Sequence, residues 1–374
     1  MNISTPTLFR IIENQPLKPF TTFKIGGPAR AFAGVDSPAD VSHALELAEQ
    51  RTLPVFVLGG GSNVLISDRG LDAVVLHPVR RGITVLDAGG DEMVIRAEGG
   101  ESWDHLVGFA VERGWRGIEN LSHIPGQAGA ALVQNIGAYG QQLSDVLESA
   151  EVMDLSTGEV KTLGRDECGL AYRRSIFNTT RKSRYLIFSL VLRLSKNAPL
   201  NLSYPDLAAW FEKLGSEPSL GEVRSAVISI RDTKFPFPVE ERGGNAGSFF
   251  KNVILPTPQY ESLERAVRDH FGAEALMRLR RLPGGMRPPG DVKVPAALLI
   301  DLSGLKGHRV GCAAVNAGQP LVIINLGGAM ARDVLLLARH IRQTVYAKTG
   351  VALEIEPELA GFTPAELRDH LALE

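Results

Sequence analysis

Two stretches of this 374-residue chain place glycine and small residues where the backbone itself could grip a ligand. The run Leu58-Gly59-Gly60-Gly61-Ser62-Asn63 directly follows a strand-like apolar segment, Pro54-Val55-Phe56-Val57-Leu58. Consecutive glycines let N–H groups approach an anion closely, and Ser62 and Asn63 add side-chain donors, so a pyrophosphate is a natural guest. The plainer alternative is a strand-to-loop turn. The run is not G-x-G-x-x-G, because Val64 stands where the last glycine belongs, and no Gly-Lys-Ser/Thr follows as in a P-loop. The second stretch is Ile124-Pro125-Gly126-Gln127-Ala128-Gly129-Ala130-Ala131, continuing into Gln134-Asn135-Ile136-Gly137-Ala138-Tyr139-Gly140. It carries almost no bulky side chain, which suits backbone lying against a flat ligand; a tight helix–sheet contact needs the same residues. Two such runs in one half favour a cofactor held outside the Rossmann geometry.

The elements that must position these loops alternate strand and helix. Ser37 offers an N-cap with Pro38 at the first helical position, and Val41, Ala44, Leu45 and Ala48 recur at helical spacing. Val74 to Leu76, Thr84 to Leu86 and Met93 to Arg96 read as short strands. A helix over residues 103–113, capped by Ser102, is expected to bury Leu106, Phe109 and Ala110. Residues 151–154 and 159–162 flank Ser156-Thr157-Gly158 as a hairpin, and 186–194 is a further strand. The polar stretch 196–205 is the expected domain boundary. Beyond it, Ser219 and Glu222 form a capping-box pattern opening a helix toward Arg231, which Lys234-Phe235-Pro236-Phe237-Pro238 ends. Residues 277–289, rich in Arg, Gly and Pro, read as an exposed loop. Val334, Ala338, Ile341 and Val345 mark one face of a long helix finishing at Gly350, and 353–359 reads as a closing strand.

Composition narrows the function classes. Forty Lys and Arg against 42 Asp and Glu leave a formal net charge of -2, so no global field would draw in nucleic acid or an anionic membrane. An anionic ligand must be held by local donors. Cys168 and Cys312 have no metal-type spacing and the eight histidines form no paired motif, so no metal site is expected and both thiols are expected to be reduced. Residues 1–20 contain no signal-peptide run, and no segment has the length of a membrane span. A cytoplasmic protein is expected, its oligomeric state open and a monomer preferred.

Together with Phe23-Lys24-Ile25-Gly26-Gly27-Pro28-Ala29, these glycine loops resemble the FAD-binding half of the UDP-N-acetylenolpyruvoylglucosamine reductase (UDP-N-acetylmuramate dehydrogenase) family. The second half resembles it too, through Ala171-Tyr172-Arg173, Gly247-Ser248-Phe249-Phe250-Lys251-Asn252, Ile300-Asp301 with Gly304-Leu305-Lys306-Gly307, and Glu356-Pro357-Glu358. The resemblance implies an α+β architecture: a two-subdomain FAD-binding fold of the vanillyl-alcohol-oxidase type plus a C-terminal α/β substrate-binding domain. The implied divisions are 1–75, 76–200 and 201–374. It implies FAD as cofactor and NADPH as co-substrate. The implied substrates are small molecules, the reaction being reduction of an enolpyruvyl ether on a UDP-sugar to a lactyl ether in peptidoglycan precursor synthesis.

Residue roles follow from the same resemblance. The cofactor-binding set is Gly59, Gly60, Gly61, Ser62, Asn63, Pro125, Gly126 and Gly129. Arg173 matches the arginine that meets the carboxylate, Ser248 the proton donor, and Glu358 the carboxyl group that steadies the enolic intermediate, with Glu354 and Glu356 as nearby rivals. Tyr204, Lys234, Asn252 and Gln319 match holders of the diphosphate and sugar. The bland alternatives are a surface ion pair for Arg173 and an ordinary strand position for Ser248. The chain departs from the family pattern at Phe237, where an aspartate is usual, at Asn316, where a histidine is frequent, and in the length of 277–289. A rival reading is another FAD-dependent oxidoreductase of this fold, acting on an alcohol or hydroxy acid. A non-catalytic nucleotide-binding protein is a second, against which stands the presence of Arg173, Ser248 and Glu358.

Overall fold

A computed structural model describes residues 9–87, 89–212, 216–236, 242–281 and 290–371. Phe237 and residues 282–289 of the Arg-rich segment lie outside that set. The chain divides into two units that interleave along the sequence: residues 1–15, 29–60 and 71–231 form the first, and 16–28, 61–70 and 232–374 the second.

The first unit is built on two sheets. A four-stranded sheet has the order Ile11–Pro16, Pro28–Val35, Leu71–Pro78, Val55–Val57. Its last three strands run parallel, so the chain needs a crossover, and the helix Pro38–Gln50 supplies one. The helix starts where the sequence predicts: Ser37 Oγ accepts the Asp40 N–H and Asp40 Oδ2 accepts the Ser37 N–H. Its buried face, Val41, Ala44 and Ala48, packs on Ala31, Ala33, Val74 and Leu76. The second sheet is antiparallel, in the order Val160–Gly164, Leu147–Asp154, Tyr185–Ser195, Glu92–Glu98, Ile83–Asp87. The expected hairpin at 156–158 closes as an Asx turn, with Asp154 Oδ1 accepting from Ser156 N–H and Oγ–H.

Helix Trp103–Glu112 covers this sheet through Trp103, Leu106, Val107 and Ala110. Phe109, expected in the buried face, is only partly buried. The Arg113 guanidinium sits 3.6 Å above its ring, so a cation–π contact covers one face of a ring that still packs against the core. The expected boundary at 196–205 does not end the unit, which continues to Arg231. Leu207 of helix Pro205–Phe211 and Val223, Ala226, Val227 and Ile230 of helix Leu220–Lys234 share one apolar cluster with Tyr139.

The second unit packs around helix Ala331–Thr349. Val334, Ala338, Ile341 and Val345 on its predicted face are fully buried, and Gly350 ends it at φ 69°. Against it lie the helical segment Thr257–Arg280, which is broken at Gly272 (φ 84°), the helix Ala296–Leu302 and the sheet Arg309–Val310, Ala313–Val315, Ile323–Asn325. Two sequence expectations change here. The stretch beginning at Met277 stays helical to Arg280, because Leu279 is buried while Arg278 and Arg280 reach Asp301 and Glu264. The closing strand is only Glu358–Ala360, because Pro357 has no N–H and divides the segment between two partners. Before it, Ile355 pairs with Phe250; after it, Glu358–Ala360 runs parallel to Val64–Ile66. Among the described residues no helix is long and apolar enough to cross a membrane.

Candidate functional site

In the first unit the two glycine stretches meet. A Cβ on Gly60 would lie 2.6 Å from Gly126 Cα, and one on Gly59 would lie 2.8 Å from Ala130 Cβ. Their small size is therefore demanded by mutual approach. The approach leaves donors over: among the described residues the N–H groups of Gly59, Gly60, Gly126 and Gln127 donate to no protein group. Gln127 adds an acceptor. Its Nε2 donates to Pro78 O at 3.0 Å, which fixes the amide's orientation, and its Oε1 is then buried without a partner, 3.3 Å from where a Gly59 Cβ would stand. Spare N–H groups beside a spare acceptor suit a ligand offering both anionic oxygens and hydroxyl or N–H groups, as a flavin dinucleotide does. His77 borders the loop, its Nδ1–H donating to Leu58 O at 2.7 Å; burial lowers its pKa, so it brings no positive charge at neutral pH.

Other members of the predicted cofactor set have structural duties. Pro125 precedes Gly126, whose φ of 119° suits glycine. Gly129 lies in helix Ala128–Val133, where its N–H reaches Gly99 O and a Cβ would stand 3.2 Å from that oxygen. Its smallness serves helix–sheet packing. Gly61, Ser62 and Asn63 belong to the second unit. Gly61 O accepts the Thr22 N–H, and Asn63 is tied to the carboxylate segment: its O accepts the Glu358 N–H at 3.0 Å and its Nδ2 reaches Glu356 O at 3.5 Å.

Arg173 sits in a tight turn of the first unit. Ala171 and Arg174 exchange both backbone hydrogen bonds, and Arg173 between them adopts φ 55°. Its guanidinium donates to Gly137 O at 3.1 Å, and Asn178 Nδ2 donates to Arg173 O. Arg173 is half-buried, while the next residue, Arg174, is exposed. Tyr204 precedes helix Pro205–Phe211 and meets the Tyr139 ring edge-on at 5.1 Å. Burial pushes the Tyr139 hydroxyl up to about 12. The segment before Tyr204 is latched by Asn120, whose Nδ2 donates to Tyr139 O and Asn201 O at 2.8 and 2.7 Å.

The second unit holds the remaining candidates. Phe249 and Phe250 are fully buried and anchor a stretch in which Phe249 O accepts the Glu356 N–H and Lys251 N–H donates to Glu354 O. Phe250 pairs antiparallel with Ile355 in a single bridge, so Ser248 lies two residues before one member of that bridge and Glu358 three residues after the other. The half-buried Ser248 follows Gly247 (φ 70°), whose N–H donates to Asn245 Oδ1. Glu354 is exposed and paired with Lys251. Asn252 Oδ1 accepts the Ala296 N–H and caps a helix start, which leaves its NH2 for a ligand. Asn316 Nδ2 donates to Lys234 O at 3.0 Å and its Oδ1 accepts the Gly318 N–H, tying Lys234 to the turn that carries Gln319. The departure at Asn316 thus has a role of its own.

Sequence reasoning missed Gln127, Asn120 and Asn135. Gln127 and Asn135 stood inside quoted motifs but were overshadowed by their small neighbours.

Two family models match the chain: an FAD binding domain over residues 29–164 and the UDP-N-acetylenolpyruvoylglucosamine reductase C-terminal domain over residues 237–360. The UDP-N-acetylenolpyruvoylglucosamine reductase of Pseudomonas aeruginosa is 40% identical over 348 residues, 93% of this chain and 98% of its own length. That of Neisseria meningitidis is 40% identical, over 91% of this chain and 95% of its own. The crystal structure of the UDP-N-acetylenolpyruvylglucosamine reductase from Thermus caldophilus superposes with a TM-score of 0.63 at 26% identity, covering 94% of this chain and 98% of that one.

Proposed function

This chain belongs to the UDP-N-acetylenolpyruvoylglucosamine reductase family, and from that premise we propose that it reduces the enolpyruvyl ether with Arg173, Ser248 and Glu358, NADPH supplying the electrons. The product is UDP-N-acetylmuramate, a peptidoglycan precursor. FAD, held by the spare N–H groups of Gly59, Gly60 and Gly126 with Pro125, Gln127 and Gly129 shaping the loop, supplies hydride transfer when bound. On this reading the two sheets of the first unit, drawn from residues 1–75 and 76–200, form the flavin-binding subdomains. The chain from 201 onward carries Tyr204, Lys234, Asn252 and Gln319 for the diphosphate and sugar. The compartment we assign is the cytoplasm, where NADPH and nucleotide sugars are supplied.

The chemistry divides among the three residues. Hydride addition to the vinyl carbon builds negative charge on the enolpyruvyl carboxylate, and a permanently charged guanidinium can clamp it through two N–H groups. Arg173 takes this part. Ser248 Oγ–H delivers the proton to the adjacent carbon, which completes the lactyl ether. Glu358 steadies the enolic oxygen. A serine is a weak acid, so the step needs the departing proton's oxygen to be stabilised by neighbours, and Lys234 lies in the same unit to assist.

The observation that supports this assignment is the bridge of Phe250 to Ile355, which joins the segment that carries the chosen serine to the segment that leads into the chosen glutamate, over a hundred residues apart in sequence. The test separates the two half-reactions by anaerobic stopped flow. Ser248→Ala is expected to leave flavin reduction by NADPH near normal and to slow flavin reoxidation by the enolpyruvyl sugar ~10²–10⁴-fold. An equal fall in both half-reactions would remove Ser248 as proton donor.

A further inference from the structure

Asn135 is 2% exposed and adopts φ 45°, a left-handed conformation that asparagine tolerates better than most residues. Its side chain is used at both ends. Oδ1 accepts the Ser144 N–H at 2.9 Å, while Nδ2 donates to Ser144 Oγ at 3.2 Å and to Ala171 O at 3.1 Å. The amide's orientation is fixed by these partners, since a backbone N–H can only donate and a carbonyl can only accept.

Ala171 O is the hinge of the turn that carries Arg173. It accepts the Arg174 N–H, and Ala171 N–H donates back to Arg174 O, so the Asn135 amide grips the closed end of the turn. Two further bonds tie the same turn to the same stretch of chain. Ser175 Oγ–H donates to Val133 O at 2.5 Å, and the Arg173 guanidinium donates to Gly137 O at 3.1 Å. Residues 133, 135 and 137 therefore form a rail on which 171, 173 and 175 are seated. Asn135 supplies a rung that crosses from a side chain of the rail to the turn's backbone.

We propose that Asn135 is a positioning residue for the sugar half-reaction: it sets the αL turn that aims Arg173, and it touches neither substrate nor flavin. The inference rests on Arg173 being the carboxylate clamp. Its isosteric variant Asn135→Asp has a distinctive signature. An ionised carboxylate still accepts from Ser144 N–H but faces Ala171 O with no proton to give. A neutral carboxyl donates one hydrogen bond to Ala171 O and restores the rung.

The test measures both half-reactions and FAD affinity in the full-length holoenzyme for Asn135→Ala, Asn135→Asp and Asn135→Gly, the last keeping the backbone conformation should the others fold poorly. The expected result is FAD binding and reduction by NADPH within about twofold of wild type, and flavin reoxidation by the enolpyruvyl sugar slowed ~10–100-fold, in kcat more than in KM. For Asn135→Asp the slowed step recovers as pH is lowered and the introduced carboxyl is protonated, a recovery absent from Asn135→Ala. In an Arg173→Ala background, Asn135→Ala adds less than about twofold, because the residue acts through the one already removed. Folded Asn135 variants with a normal sugar half-reaction, a flat pH comparison, or full additivity with Arg173→Ala would each overturn the proposal. A normal sugar half-reaction in Arg173→Ala alone would instead remove the clamp assignment itself, which is how failure of the underlying reading is told apart.

Discussion

Replacing Gly60 by alanine tests whether the meeting of the two glycine stretches is what holds the flavin. The new Cβ would stand 2.6 Å from Gly126 Cα and 3.1 Å from Gln127 N, both backbone atoms that no rotamer change can move. Carbon atoms rest at about 3.5 Å or more, so the loops must separate by about 1 Å. A donor withdrawn by that distance goes from a normal 2.9 Å to about 3.9 Å, beyond hydrogen-bonding range. Each hydrogen bond to a charged group lost in this way is worth ~1.5–3 kcal/mol, so FAD affinity should fall ~10–150-fold per bond. Overpacking should also lower the protein's stability by about 1–3 kcal/mol. The assay is titration of flavin-stripped protein with FAD, followed by flavin fluorescence. Gly221→Ala is the control: the nearest atom its Cβ would meet is Ser219 Oγ at 4.0 Å, so it should leave FAD affinity unchanged and stabilise the helix by about 0.5 kcal/mol. A folded Gly60→Ala protein that binds FAD within twofold of wild type would refute the reasoning.

Two further outcomes are expected away from the site. The hydrogen bond from Arg184 holds the buried Asp154 carboxyl down at about 2, below its ordinary 3.8, so the native state binds this proton less readily than the unfolded chain. Its contribution is complete above about pH 4 and is lost as pH falls toward 2; thermal midpoints measured against pH should show Asp154→Asn lacking that acid loss, of at most one proton. Burial pushes the Cys168 thiol up to about 11, whereas Cys312 is exposed, so a thiol reagent at neutral pH should add once to the native protein and twice to the unfolded one by mass spectrometry.

What the sequence discloses depends on how local the determining contacts are. The start at Ser37 and the face Val334, Ala338, Ile341, Val345 were readable because cap and helix periodicity are spelled within a few residues. Phe109 was misjudged since the competing partner, Arg113, changes what burial is worth. The strand after 353 was overdrawn because Pro357 hands the chain from Phe250 to Val64, partners distant in sequence. The glycine runs were found, but their reason was half hidden: Gly59 and Gly60 are small as much for Ala130 and Gly126 as for any ligand. The roles of Asn135 and Asn120 were not readable, since their targets, Ala171 O and Asn201 O, are backbone atoms 36 and 81 residues away.

The chain changes unit after residues 15, 28, 60, 70 and 231, and this interleaving dictates an order of events during synthesis. Val64–Ile66 leaves the ribosome early, yet its partner in the sheet, Glu358–Ala360, is translated 294 residues later. At about 5–20 residues per second that is a wait of roughly 15–60 s. During it an apolar strand edge must stay soluble without its mate, so the nascent protein is exposed to aggregation until Glu358–Ala360 is made.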